Sequence, residues 1–213
     1  MQLLLVRHGQ TEYNAIGRYQ GHMQIALDAT GQRQAQQVCR RLQRLPIDAI
    51  YSSDLVRCIE TITPLAQAKS LPIQHDHNLR EIDVGLFEHL TVTEIKATFP
   101  SLYAAYRNAP GDTIHPGGES YRQLQRRAMA AIAQIAERHQ PEQTICIASH
   151  GGTIRAIVCA LLHLDINSYN RMWIENCAIT TLSGPAHDLR LVTLNDFSHA
   201  TDRIEHEYEH TAV

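Results

Sequence analysis

Residues 3–14 read LLLVRHGQTEYN. The unbroken apolar run Leu3–Val6 is the pattern of a strand covered on both faces; a half-exposed strand would alternate. It stops abruptly at Arg7 and His8, and Gly9 follows. In a regular strand neighbouring side chains point to opposite faces. A turn at Gly9 must therefore re-aim at least one of the two basic groups, and glycine permits that. A strand terminus is also a rigid mount for a reactive side chain.

Working outward, 30–45 (TGQRQAQQVCRRLQRL) places Ala35, Val38, Leu42 and Leu45 at helical spacing. IDAIYSS (47–53) reads as a second strand, and 54–70 as a helix with Pro64 as a kink or restart point. LPIQHD (71–76) is a short strand. The stretch 79–117 is less regular, with one short helix after TVTE (91–94), which has capping-box form. SYRQ (120–123) has the same form and opens a helix to about His139. Its buried stripe is Tyr121, Leu124, Ala128, Ala131, Ile132 and Ile135. TICIAS (144–149) is a strand running into the helix of HGGTIRAIVCALLHL, and 177–184 with 189–195 read as a late hairpin. This alternation predicts an α/β sandwich with a mostly parallel sheet. The chain reads as a single domain, 1–213, in which 83–120 is an insertion over the sheet that caps the substrate and 198–213 is a polar tail.

In open α/β sheets, ligands bind beyond the carboxyl ends of the strands. Here those ends carry Arg7-His8-Gly9, then SSDLVR with Arg57 in the first turn of its helix, then His150-Gly151-Gly152 at a helix start. Any one of these is a weak signal, since histidines at strand ends are mostly turn residues. Together they gather two arginines, two histidines and a helix N-terminus with its backbone N–H groups. That is a site for a doubly charged phosphate, gripped by guanidinium forks.

The bulk composition agrees. The net charge of −3 over 213 residues shows no basic stripe for nucleic acid, and no apolar run approaches a membrane span. The N-terminus lacks a signal-peptide n-region. Five widely spaced cysteines (39, 58, 146, 159 and 177) form no Cys-x-x-Cys pair, which fits reduced thiols in the cytoplasm.

At this point the chain resembles the histidine phosphatase, or phosphoglycerate mutase-like, superfamily. VRHGQTEYN, YSSDLVRCIETI, LREIDVGLFE, GGES and IASHGGTIRAI are similar to its five blocks, in order, from residue 3 to about 160. The resemblance implies a three-layer α/β/α sandwich with a mixed central sheet, and a phosphatase needing no metal or other cofactor. It implies His8 as the nucleophile that becomes phosphohistidine, with Arg7, Arg57 and His150 holding phosphoryl oxygens and Asn14 adding a hydrogen bond. It implies Glu81 as proton donor; the residues alone favour a surface salt bridge between Glu81 and Arg80. Gly151 and Gly152 line the phosphate side, while Arg18, His22 and Arg80 are candidates for the substrate rim, formed by 15–28 and 83–120. Arg18 and Arg107 are the cations available there for a second charge.

Two departures touch the rim. Family members often carry Trp-Glu-Gly where this chain has Phe87-Glu88-His89, so the loop after the acid is expected to change shape. They usually carry Asp and Pro where Gln24 and Ala26 stand. A zinc-protease-like pattern, HEYEH at 206–210, reads as an exposed charged tail, because it lacks a third ligand and a protected cavity. Trp173 is expected in the core, and the late edge strand offers a pairing surface for a homodimer. The leading reading is a phosphomonoesterase for a small metabolite: a phosphoglycerate-type acid, sugar phosphate, phosphoserine or α-ribazole phosphate. A cofactor-dependent phosphoglycerate mutase and a non-catalytic phosphate-binding module are the alternatives. The mutase branch would carry a longer acid-loop motif than LREIDVGLFEHL.

Overall fold

The computed structural model describes residues 1–200, so the HEYEH segment and most of the polar tail lie outside the described residues. Its elements are β1 (Gln2–Arg7), α1 (Glu12–Ala15), α2 (Ala29–Leu42), β2 (Ala49–Ser52), α3 (Val56–Lys69), β3 (Ile73–His75), α4 (Val92–Thr98), α5 (Pro100–Asn108), α6 (Tyr121–Glu137), β4 (Thr144–Ser149), α7 (Gly151–Leu161), β5 (Ile179–Ser183) and β6 (Arg190–Asp196).

One six-stranded sheet runs in the order β3-β2-β4-β1-β5-β6. β1 lies near its centre, parallel to β4 and antiparallel to β5; β2 is parallel to both β3 and β4, and β5 with β6 forms the antiparallel hairpin. Burial of both faces explains the unbroken apolar run of β1. Leu3 and Leu5 enter the core layer shared with α6 and α7, while Leu4 and Val6 enter the layer shared with α2 and α3. The mixed α/β/α sandwich is the architecture expected of the chain.

The two capping boxes read from TVTE and SYRQ form: Thr91 with Glu94, and Ser120 with Gln123. All six residues of the α6 stripe are buried. Three expectations fail. The 79–117 stretch carries two helices, α4 and α5, where one was expected, because Pro100 opens a second helix directly after the first ends. α3 runs through Pro64 without interruption. Its inner face, Ile62, Leu65 and Ala66, is locked into the α2 layer, and that packing outweighs the lost backbone bond. Trp173 is not core: it is 46% exposed. The 82–120 stretch builds a third apolar cluster of its own, with Ile82, Val84, Phe87, Ile95 and Tyr106 packed on Tyr121, Leu124 and Tyr169.

Candidate active site

β1 and β4 are in register with Arg7 beside Ser149, so His8 and His150 leave the sheet side by side. Their rings meet edge to face with centroids 5.2 Å apart, and both are buried. The loop carrying His8 is tied down on every side. The Gly9 N–H donates to Thr61 Oγ1 of α3 at 2.9 Å. The His8 carbonyl accepts from Asn176 Nδ2 at 2.9 Å. Gly9 does not adopt a left-handed conformation; it is needed for space. A Cβ at Gly9 would lie 2.7 Å from the Gly31 carbonyl, and one at Gly31 would lie 2.1 Å from the Gln10 carbonyl. The His8 loop therefore packs backbone to backbone on the start of α2.

His8 Nδ1 lies 2.7 Å from the carbonyl of Gly9. With Nδ1–H donating there, Nε2 carries the lone pair. Burial, reinforced by Arg57 and Arg7, holds the His8 pKa well below the ordinary histidine value. His150 is depressed for the same first reason, with Arg57 and His8 adding to it. Its Nε2 meets Ser53 Oγ at 2.9 Å, and the Cys58 sulfur lies 3.3 Å away. With the Ser53 hydroxyl donating to Nε2, Nδ1–H is left to donate to an anion.

Two guanidinium groups complete the cradle. Arg57 is fully buried and donates to the carbonyls of Met23 (2.8 Å) and Gly21 (2.9 Å), pinning the loop behind α1; its Nε is buried without a partner. Arg7 donates to the Ile174 carbonyl, and its Nε is likewise buried and unpartnered. Burial first, then Arg155, pulls Arg7 down to about 10, which leaves it charged at neutral pH. Among the described residues neither arginine forms an ion pair with a carboxylate. Two cations without a counter-ion beside two neutral imidazoles make an anion-binding cavity. Asn14 is placed to serve it: its Oδ1 is held by Thr11 N–H and Asn176, which leaves the amide N–H groups as donors.

Glu81 stands across this cradle. Its Oε2 accepts the Gly152 N–H at 3.1 Å and its Oε1 accepts the Ile82 N–H at 2.9 Å. The Gly152 N–H therefore holds the acid rather than facing the phosphate as expected. The loop bearing Glu81 is fastened by side chains from several elements. Arg127 donates to the carbonyls of Asn78, Arg80 and Glu81, Ser149 to that of Leu79, and Thr153 to that of Arg80. Glu119 closes the network by pairing with Arg127 and accepting the Asp83 N–H.

The rim candidates divide. His22 Nε2 reaches the Glu81 carbonyl at 2.9 Å, so it supports the acid loop. Arg18 is closed on Glu94, with bonds of 2.8 and 3.2 Å, and Arg80 on Asp54, with bonds of 2.6 and 2.5 Å. Both are engaged by carboxylates and do not reach into the cradle, and the Arg80–Glu81 pair does not form. Arg107 is exposed on α5. Thr61, Asn176, Arg127 and Glu119 were not singled out from the sequence. Thr61 lies one turn after Arg57 within a quoted block, but Asn176 sits 168 residues from its partner and carries no local signal. The two departures take up local structural roles. His89 takes the left-handed conformation, φ 67°, that a glycine would adopt there, and Gln24 Oε1 accepts the Val56 N–H at 2.8 Å, capping α3.

A profile described as histidine phosphatase superfamily (branch 1) matches residues 3–197. The chain belongs to the histidine phosphatase superfamily. This histidine phosphatase is 31% identical over 182 residues to phosphoserine phosphatase 1 of Hydrogenobacter thermophilus, covering 85% of this chain and 86% of the relative. It is 35% identical over 182 residues to a probable phosphoglycerate mutase, GpmB, of Salmonella choleraesuis, covering 85% and 84%. A solved mycobacterial glucosyl-3-phosphoglycerate phosphatase in complex with VO3 superposes with a TM-score of 0.82 at 32% identity, covering 91% of this chain and 98% of that one. Among the described residues no helix of the histidine phosphatase is long and apolar enough to cross a membrane.

The buried neutral histidines fix a pH dependence. Because native His8 and His150 titrate well below the unfolded value of about 6.5, the unfolded chain binds more protons as pH falls through that value. Their contribution to stability is fully present above about pH 6.5 and is lost progressively below it, down to the lowered native values, with a slope of at most ~1.4 kcal/mol per pH unit for each group. For the same reason kcat at saturating substrate is expected to show no acid limb near pH 6.5. Urea titrations and initial rates between pH 5 and 8 check both. A rate that halves at the ordinary histidine pKa would contradict the burial argument.

Proposed function

We propose that the chain is a metal-independent phosphomonoesterase acting on a small phosphorylated metabolite through a phosphohistidine at His8. The observation that carries this reading is the fully buried Arg57, a cation with no carboxylate partner among the described residues, beside a neutral His8. A phosphoryl dianion supplies the missing charge, and the spread of negative charge in transfer suits a fixed set of donors. In the first step His8 Nε2 forms a bond to phosphorus as the P–O ester bond breaks, and Glu81 gives its proton to the leaving alkoxide. In the second, Glu81 takes a proton from water, the water oxygen bonds to phosphorus, and the N–P bond returns its electron pair to His8. The donor set supports independence from metal: magnesium prefers clustered carboxylates, and this cradle is cationic.

The names of the relatives, phosphoserine phosphatase 1 and glucosyl-3-phosphoglycerate phosphatase, favour hydrolysis. The likeness to a probable phosphoglycerate mutase favours transfer of the same phosphoryl group to another hydroxyl. One assay separates them. Phosphate release from 3-phosphoglycerate and p-nitrophenyl phosphate is followed with and without 2,3-bisphosphoglycerate, EDTA and orthovanadate. Release that survives chelation, is blocked by vanadate and ignores the bisphosphate is the expected result. Isomerisation to 2-phosphoglycerate that depends on the bisphosphate would favour the mutase, and loss with EDTA restored by a divalent ion would end the metal-free account.

A further inference from the structure

The backbone carbonyl of Glu81 accepts from two donors that come from different parts of the fold. One is Arg127 Nη2 of α6, at 2.7 Å. The other is His22 Nε2, at 2.9 Å. A carbonyl can only accept, so this Nε2 carries a proton whether the ring is neutral or charged. Arg127 also holds the carbonyls of Asn78 and Arg80 and pairs with Glu119, so it serves the whole loop. His22 is braced for the single carbonyl. Its Nδ1 lies 3.8 Å from Asp83 Oδ2, and its backbone N–H donates to Glu88 Oε1 at 2.8 Å.

The grip on that carbonyl reaches the acid through one rigid plane. The peptide joining Glu81 to Ile82 is trans and planar, so its C=O and N–H point in opposite directions. Its N–H is the group that donates to Glu81 Oε1 at 2.9 Å. Setting the direction of the carbonyl therefore sets the direction of the N–H, and with it one of the two bonds that hold the carboxyl group. The Gly152 N–H supplies the other.

His22 also belongs to the stretch that touches the phosphate side. The carbonyls flanking it, those of Gly21 and Met23, are the two gripped by Arg57. Gly21 in turn is pressed onto the acid loop: a Cβ there would lie 2.4 Å from Glu88 Oε1 and 2.9 Å from Val84 Cγ2. Further along, the Tyr19 N–H donates to the Leu90 carbonyl and the His89 N–H to the Tyr19 carbonyl, both at 3.0 Å. Residues 19–23 form one strap, fastened to the phosphate cradle at Arg57 and to the acid loop at His22.

We infer that His22 is a positioning residue for the proton donor: it holds the Glu81–Ile82 peptide so that the Glu81 carboxyl faces the ester oxygen of a phosphate gripped by Arg57. The inference rests on the phosphatase reading with Glu81 as its acid. His22 acts through Glu81 and touches neither phosphorus nor the leaving group in this role.

The test uses two esters of similar shape, phenyl phosphate and p-nitrophenyl phosphate, and follows phosphoenzyme formation in a single turnover. The phenolate of the first is a basic leaving group that needs a proton; that of the second scarcely does. His22→Phe keeps a ring but loses the donor. It should slow phenyl phosphate by about tenfold, the worth of one well-placed hydrogen bond, and p-nitrophenyl phosphate by less than about twofold. His22→Gln, whose amide N–H can reach the same carbonyl, should recover most of the loss. In a Glu81→Gln background His22→Phe should add nothing, because the two changes act at one point. An equal loss on both esters, no loss on either, or a further independent loss beside Glu81→Gln overturns the inference. If the His22 variants do not fold, Glu81→Gln still decides: an equal effect on the two esters removes the acid that His22 is inferred to position. If the wild-type protein releases phosphate from neither ester, the phosphatase reading itself fails, and the inference falls with it.

Discussion

Replacing His8 with alanine is expected to reduce turnover of any accepted phosphomonoester by about 10⁴-fold or more, the scale seen when a covalent nucleophile is removed. It should also remove the acid-labile, alkali-stable label left after brief exposure to a ³²P-labelled substrate. The expectation comes from geometry: Nδ1 is occupied by the Gly9 carbonyl, and burial with two arginines keeps the ring neutral. The neighbouring His150 is no substitute, since its Nε2 already meets Ser53. The variant should still bind phosphate, because Arg7, Arg57 and His150 remain. Undiminished labelling in His8→Ala would move the nucleophile elsewhere and would undo the mechanism.

The second large effect belongs to Glu81. Glu81→Gln keeps the shape and leaves Oε1 to accept one of the two backbone bonds, but it has no proton to give. A general acid is worth ~10²–10⁴-fold when the leaving group is basic. Phosphoenzyme formation from an alkyl phosphate should slow by that order, whereas p-nitrophenyl phosphate, whose leaving group scarcely needs a proton, should slow by less than about tenfold. The comparison must be made in a single turnover, because dephosphorylation is common to both substrates. An equal loss would show that Glu81 only supports the cradle, and Glu88 and Asp83 would be the next carboxylates to examine.

Much of this was legible in the chain. Leu3–Val6 announced a strand buried on both sides, and the stripe on α6 was placed residue by residue, because burial is written in local periodicity. His8, Arg7, Arg57 and His150 can be brought together because each lies at or just beyond the end of a strand, and parallel strands deliver their ends to one edge of a sheet. What could not be read was the network between elements. Arg127 reaches three carbonyls of a loop 46 to 49 residues away, a pairing set by how α6 crosses the sheet. Arg18 and Arg80 were misjudged for a related reason: a surface arginine takes the nearest carboxylate, and neither Glu94 nor Asp54 is near in sequence. Pro64 shows packing overriding propensity. Gly9 was recognised as special for its torsional freedom, but the space it leaves for Gly31 is what the structure uses.

The position of β1 in the sheet bears on how the protein is born. β1 leaves the ribosome ahead of the two strands it pairs with, β4 and β5, whose residues begin at Thr144 and Ile179. At ~5–20 residues per second, the nascent QLLLVR segment waits roughly 10–30 s for its partners. During that interval a strand with an unbroken apolar run has both edges unpaired, and His8 has neither Asn176 nor His150 beside it. A ribosome stalled before residue 144 would therefore display an inactive chain dependent on chaperone shelter. A circular permutant that makes β4 and β5 first would shorten that exposed period and should give a higher soluble yield from the same mature architecture.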